Sequence, residues 1–171
     1  MEFLAPFHPQ FIHAPIVLLI MGLLFEIVGR LTDLEWWRKA AFAMLVLGVL
    51  GAGAAVLSGG PAGDAAEEHG VPEAAVDAHE RAAGLTLYLG LAALVARMGA
   101  SALRRGRAVL SGLALLLWIA AAVAVGITAH RGGKLVFDHG AAVRVKGQDV
   151  SGKGTEPAPA RAPAPGQPDR D

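Results

Sequence analysis

The chain has 171 residues, no net formal charge, no cysteine, and 54% hydrophobic against 18% charged residues. A soluble domain usually carries nearer a quarter charged residues, and a neutral chain sets up no field that draws in nucleic acid. Without cysteine, disulfides, covalently attached haem, cysteine-held iron–sulfur clusters and thiol catalysis are all excluded.

The start, Met1-Glu2-Phe3-Leu4, has no basic n-region, and no small-residue cleavage site follows the first apolar run, so no cleavable signal peptide is expected. Four apolar stretches follow, at about 11–29, 40–58, 82–103 and 108–129. About 20 residues of helix cross the roughly 30 Å of bilayer hydrocarbon, and a helix satisfies its own backbone where lipid offers no partner. The expected fold is therefore all-α, a bundle of four transmembrane helices in a domain spanning 1–146. A short outer-face hairpin or extended segment is expected after the fourth span. Residues 147–171, rich in Pro, Ala, Gly and charge, read as a disordered tail.

The first span contains Glu26, with Arg30 at i+4, an ion-pair spacing near the span's end. Trp36 and Trp37 suit a membrane boundary. Gly48, Gly51 and Gly53 in the second span suit close helix packing. Residues 59–81 read as a loop opened by Gly59-Gly60-Pro61, with a helix from Pro72 running into the third span. After the fourth span, Gly132-Gly133 reads as a helix break. Residues 134–137 then read as an extended or surface-lying piece, and Asp138-His139-Gly140 as a turn.

Charge fixes the expected orientation. The two short links carry Arg30, Arg38, Lys39, Arg97, Arg104, Arg105 and Arg107, whereas the 59–81 loop has Arg81 alone against six acids. The positive-inside rule puts the short links in the cytoplasm and both termini outside an inner membrane. Arg131, Lys134, Arg144 and Lys146 oppose this only mildly.

All six histidines then fall on the outer side. His13, His79 and His130 lie at the outer ends of three spans, with His8 and His139 a few residues beyond; His69 sits in the polar loop. Each taken singly is more often an interfacial hydrogen-bonding residue than a ligand. As a set they are candidates for cofactor binding, because neutral imidazoles ligate haem iron, copper and zinc. Haem b is the cofactor considered first, held by two of His8, His13, His79, His130 and His139. A bare metal ion on His13, His79 and His130 is the alternative. His79 and His130 are expected neighbours across the short link. His8 precedes Pro9 and is expected to be extended, with the first helix starting after it.

Other chemistry finds little support. Ser58, Ser101, Ser111 and Ser151 lack a nucleophile elbow, and no H-E-x-x-H occurs, so the chain reads as a protein that is not an enzyme by itself. Three functions remain: b-type haem electron transfer with a periplasmic redox protein or quinone as partner; transition-metal binding; and a non-catalytic membrane subunit or scaffold.

The opening His8-Pro9-x-x-x-His13-x-Pro15, Gly60 near Asp64, His79, and the closing Gly132-Gly133-Lys134-Leu135-Val136-Phe137 with His139-Gly140 together resemble a bacterial membrane family, domain of unknown function 2231. The resemblance runs from Phe7 to Val143. It implies a four-helix membrane domain and singles out His8, His13, His79 and His139. Some members are joined to cytochrome c-type domains, which associates the family with redox chemistry.

Overall fold

The computed structural model describes residues 2–103, 105–145 and 148–152. Of residues 147–171, expected to be a disordered tail, 148–152 are ordered and hydrogen-bonded back to the residues after the fourth long helix, which corrects the expected boundary, and the rest lies outside the described residues.

A 3-10 helix, Glu2–Phe7, leads into the short α1 (His8–Phe11). Four long helices follow: α2 (His13–Thr32), α3 (Glu35–Glu68), α4 (Glu73–Ala102) and α5 (Arg107–Phe137). All four are long and apolar enough to cross a membrane. A minimal antiparallel hairpin, β1 (Arg144–Val145) with β2 (Gln148–Asp149), closes the described chain.

The helices run up and down with tight turns. Asp33 (φ 54°) and Gly106 (φ 83°) take the left-handed conformation that ends one helix and re-aims the chain, and Asp is among the few side chains that tolerate it. Each helix packs on two others, α2 on α3, α3 on α4, α4 on α5 and α5 back on α2, which closes the bundle. The N-terminal segment packs chiefly on α3.

The bundle's exterior is apolar. Leu31, Tyr88, Val95, Leu116 and Leu50 are each more than 60% exposed, the surface expected where the surrounding medium is lipid. Its interior is built from small residues: Ala93, Ala96 and Ala100 of α4 and Ala114, Ala121 and Ala124 of α5 are buried. Without a hydrophobic drive between helices in lipid, close van der Waals contact must hold them, and small residues allow it. Gly48 and Gly51 of α3 do this against Leu19 and Pro15 of α2, whereas Gly53 faces open space.

Trp118 is the largest fully buried side chain. Its Nε1–H donates to the Leu19 carbonyl at 2.9 Å, tying α5 to α2. It fits because Gly22 has no side chain, since a Cβ there would lie 2.8 Å from the indole.

Three local expectations are corrected. Gly59-Gly60-Pro61 does not open a loop: α3 continues to Glu68. Pro61 forfeits one helical hydrogen bond, but the clash a proline imposes on its predecessor falls largely on the Cβ, which Gly60 lacks. Gly132-Gly133 does not break α5, which runs on through 134–137 to Phe137. A Cβ at Gly132 would come within 3.0 Å of the His79 ring, so this glycine serves close approach within a helix. His8 is helical, with Pro9 tolerated in the first turn of α1.

The expected run from Pro72 into the third span is present, with Pro72 as the N-cap of α4. Beyond α5 the chain folds back over the α3–α4 turn, where Val71, Val76 and Ala141 form a second small core.

The Trp118 seat makes a prediction. Gly22→Ala should destabilise the bundle by about 1–3 kcal/mol through overpacking. Gly112→Ala, where a Cβ meets open space, should be neutral or stabilise by up to about 1 kcal/mol through helix propensity. Thermal unfolding of both variants in detergent checks the contrast.

Candidate functional site

The structure sorts the six histidines sharply. His13 and His130 are exposed on the bundle surface. His69 is exposed at the end of α3, with Nδ1 2.6 Å from the Ala65 carbonyl. His139 is half-buried in the turn after α5, and its carbonyl accepts from Gly152 N–H at 2.7 Å. Only His8 and His79 meet: their ring centres are 6.4 Å apart, with planes at 87°.

His79 faces Thr128 and Gly132 of α5 rather than His130, the neighbour expected from the sequence. Helical periodicity explains this: positions 128 and 132 share a face, and position 130 lies about 200° around from 128. His8 lies against α3, on which α1 packs, and its ring rests on Gly59 with Cε1 3.2 Å from the position a Cβ would take.

Both rings are oriented by hydrogen bonds. His79 Nδ1 lies 3.1 Å from the Thr128 carbonyl. A carbonyl only accepts, so this nitrogen carries the proton. His8 Nδ1 lies 3.0 Å from Ser58 Oγ, and Ser58 Oγ–H donates to the Ala55 carbonyl at 3.1 Å. A hydroxyl has one hydrogen. With that hydrogen spent on Ala55, Ser58 must accept from His8 Nδ1–H. The network thus assigns the Nδ1–H tautomer to both histidines and leaves both Nε2 lone pairs available as ligands. Histidines that bind metals are held in the same way, with the second ring nitrogen donating to a carbonyl or hydroxyl.

The surroundings extend this polar patch. Ser58 is fully buried, and Thr86, also buried, pairs its hydroxyl with that of Thr128 at 3.1 Å. Thr128 therefore joins both features, through its carbonyl to His79 and its hydroxyl to Thr86. Ser58, Thr86 and Thr128 went unrecognised as site residues in the sequence. Their only signal was a position one or two turns inside apolar helices, a place where lone hydroxyls usually bond their own helix.

Among the described residues no three His, Cys, Asp or Glu side chains group as a metal site. The donor set is two imidazoles.

At the bundle's other end, Glu26 is buried at 2% exposure and pairs with Arg30 at 3.0 Å, the spacing expected from the sequence. Arg97 approaches the same carboxylate oxygen at 3.6 Å. Trp36 and Trp37 stack near this end with ring centres 4.0 Å apart, and Phe25 meets Trp37 edge-on.

The tautomer assignment is testable. Two-bond ¹H–¹⁵N correlation spectra should report Nδ1–H for both His8 and His79. Ser58→Ala should release His8 from that state and cost about 0.5–1.5 kcal/mol of stability. An Nε2–H signal from both rings in the parent protein contradicts the assignment.

The family described as "Predicted membrane protein (DUF2231)" matches residues 4–145. No curated protein and no solved structure matches the chain. A match over this share of the chain, in a protein with four apolar helices long enough to cross a membrane, establishes that the chain belongs to the DUF2231 family of membrane proteins.

Proposed function

We propose that this membrane protein carries electrons through a b-type haem held by His8 and His79. One observation carries the reading: two imidazoles, 71 positions apart in sequence, meet with ring centres 6.4 Å apart, and each has its Nδ1 committed to a hydrogen bond. A metal–imidazole bond is about 2.0–2.1 Å, and two rings this close could both reach one metal ion.

The size of the donor set favours haem over a bare ion. Zinc and copper sites use three or four protein ligands. A haem brings four nitrogens of its own and would need only two ligands from the protein, which His8 and His79 could supply. Two imidazoles would suffice for haem and fall short of the usual zinc set. Gly59 and Gly132 seat the two imidazoles against the helix backbones, which would hold both rings in place for a ligand. A haem there would supply reversible one-electron chemistry. His8 and His79 would fix its orientation, and the apolar helices around them would exclude water.

The location follows from charge. The Arg-rich end of the bundle, with Arg30, Arg38, Lys39, Arg97, Arg105 and Arg107, belongs on the cytoplasmic side. In an inner membrane this puts the histidine pair and both termini on the outer side, within reach of a periplasmic redox protein or of quinone in the outer leaflet. The scaffold and bare-metal readings have no observation of comparable weight.

The test is an optical spectrum of the detergent-purified protein, expressed with ample haem and recorded oxidised and then reduced. A Soret band that shifts on reduction is expected. It should be lost in His8→Ala and in His79→Ala, and kept in His13→Ala, His130→Ala and His139→Ala. No Soret band in the parent protein overturns the reading. A band that survives both His8→Ala and His79→Ala overturns the choice of ligands.

A further inference from the structure

The end of the bundle opposite the histidines holds a cavity of about 760 Å³ whose lining draws on all four long helices. Its walls carry five cationic side chains, Arg30, Arg38, Lys39, Arg97 and Arg107, against two acids, Glu26 and Glu35. Some of this charge is already paired. Lys39 bonds Glu35 at 3.2 Å, and Arg38 bonds Asp33 at 2.9 Å. The remainder is unbalanced. Glu26 is the one carboxylate facing both Arg30 and Arg97, and Arg107 has no carboxylate partner among the described residues.

Unmet hydrogen bonds point the same way. Arg30 spends its Nη2 on the Ser111 carbonyl and hydroxyl, at 2.9 and 3.0 Å. Arg97 reaches only Ser101 Oγ, at 3.4 Å, and its buried Nε makes no hydrogen bond. Glu26 Oε2 is buried with no donor at all, in a side chain 3% exposed. A guanidinium offers five N–H donors in a planar fork suited to phosphate. A buried carboxylate oxygen without a donor costs free energy until one arrives. The cavity therefore lacks two things: acceptors for Arg97, which shares Glu26 with Arg30, and for Arg107; and a donor for Glu26 Oε2.

We propose that this cavity binds a hydroxyl-bearing phosphate ester, with the phosphate on Arg97 and Arg107 and a hydroxyl donating to Glu26. Two sources share that chemistry: the headgroup of phosphatidylglycerol and a soluble polyol phosphate. The stacked Trp36 and Trp37 lie at this end, at the level where interfacial aromatic residues meet headgroups. Basic pockets between transmembrane helices are a known form of anionic-lipid site. The site is separate from the histidine pair and stands whether or not haem binds there.

The experiment is thermal unfolding of the full chain, delipidated in an uncharged detergent, with additions made at constant ionic strength. Phosphatidylglycerol should raise Tm by about 5 °C over phosphatidylcholine. Glycerol 3-phosphate, set against the same ionic strength of chloride, gives the second arm. A shift with the lipid alone assigns the headgroup; a shift with glycerol 3-phosphate assigns a soluble ester. Arg107→Gln, an exposed change that leaves the buried ion pairs intact, should weaken the response about tenfold in ligand concentration. Arg97→Gln should abolish it, and Arg81→Gln at the other end should not alter it. Phosphatidylethanol, a phosphodiester of the same charge without a free hydroxyl, should give a smaller shift than phosphatidylglycerol, and the difference should vanish in Glu26→Gln. No response to either ester, or a response unchanged in Arg107→Gln, overturns the proposal.

Discussion

Lipid offers no hydrogen-bond partners, and the arrangement of polar groups in this protein depends on that fact. Helices take care of the backbone, but side-chain polar groups must find one another. In the middle of the bundle they are almost absent. The indole N–H of Trp118 is the main exception, and it is answered by the Leu19 carbonyl. The remaining polar groups within the helices collect at the two ends. His8, Ser58, His79, Thr86 and Thr128 are linked at one end, and Glu26, Arg30, Arg97 and Ser111 at the other.

The same medium sets how the helices hold together. Packing in lipid relies on close contact, and here alanine and glycine permit it. The small residues also determine what the site can be. Gly22 makes room for Trp118, which locks α5 to α2. Gly59 and Gly132 each seat an imidazole against a helix backbone. Packing and site geometry are thus one problem: α3 holds the ring of His8 through Ser58 and Gly59, α5 holds the ring of His79 through Thr128 and Gly132, and the bundle fixes the distance between them.

Much of this was legible in the sequence. The four spans, the Glu26–Arg30 pair and the entry of Pro72 into α4 follow from hydropathy, spacing and capping rules that act locally. Helix ends were less legible. Gly59-Gly60-Pro61 and Gly132-Gly133 carry the composition of loops, yet both stretches are helical, and at Gly59 and Gly132 a histidine ring occupies the space the missing Cβ leaves. Local propensity cannot see that neighbour. The histidine pairing was half legible. His79 was recognised as a candidate at the end of a span, but its partner depends on which face of α5 turns toward α4 and on where the N-terminal turn folds back. His130 lost to Thr128 and Gly132 by helical phase, and His8 entered because α1 lies against α3. The hydroxyls that fix the tautomers gave no signal beyond their depth in apolar helices.

The account depends most on the meeting of His8 with His79 at one end of the bundle, and the chain's lack of cysteine allows a clean test. The double variant His8→Cys/His79→Cys, treated in membranes with a short homobifunctional thiol cross-linker of about 8 Å span, should form an intramolecular link seen as a single mass increment. The pair His8→Cys/Arg107→Cys, which spans the bundle, should label at both thiols without linking. Failure of the first pair to link, with both of its cysteines shown to be reactive, contradicts the arrangement on which the proposed haem site rests.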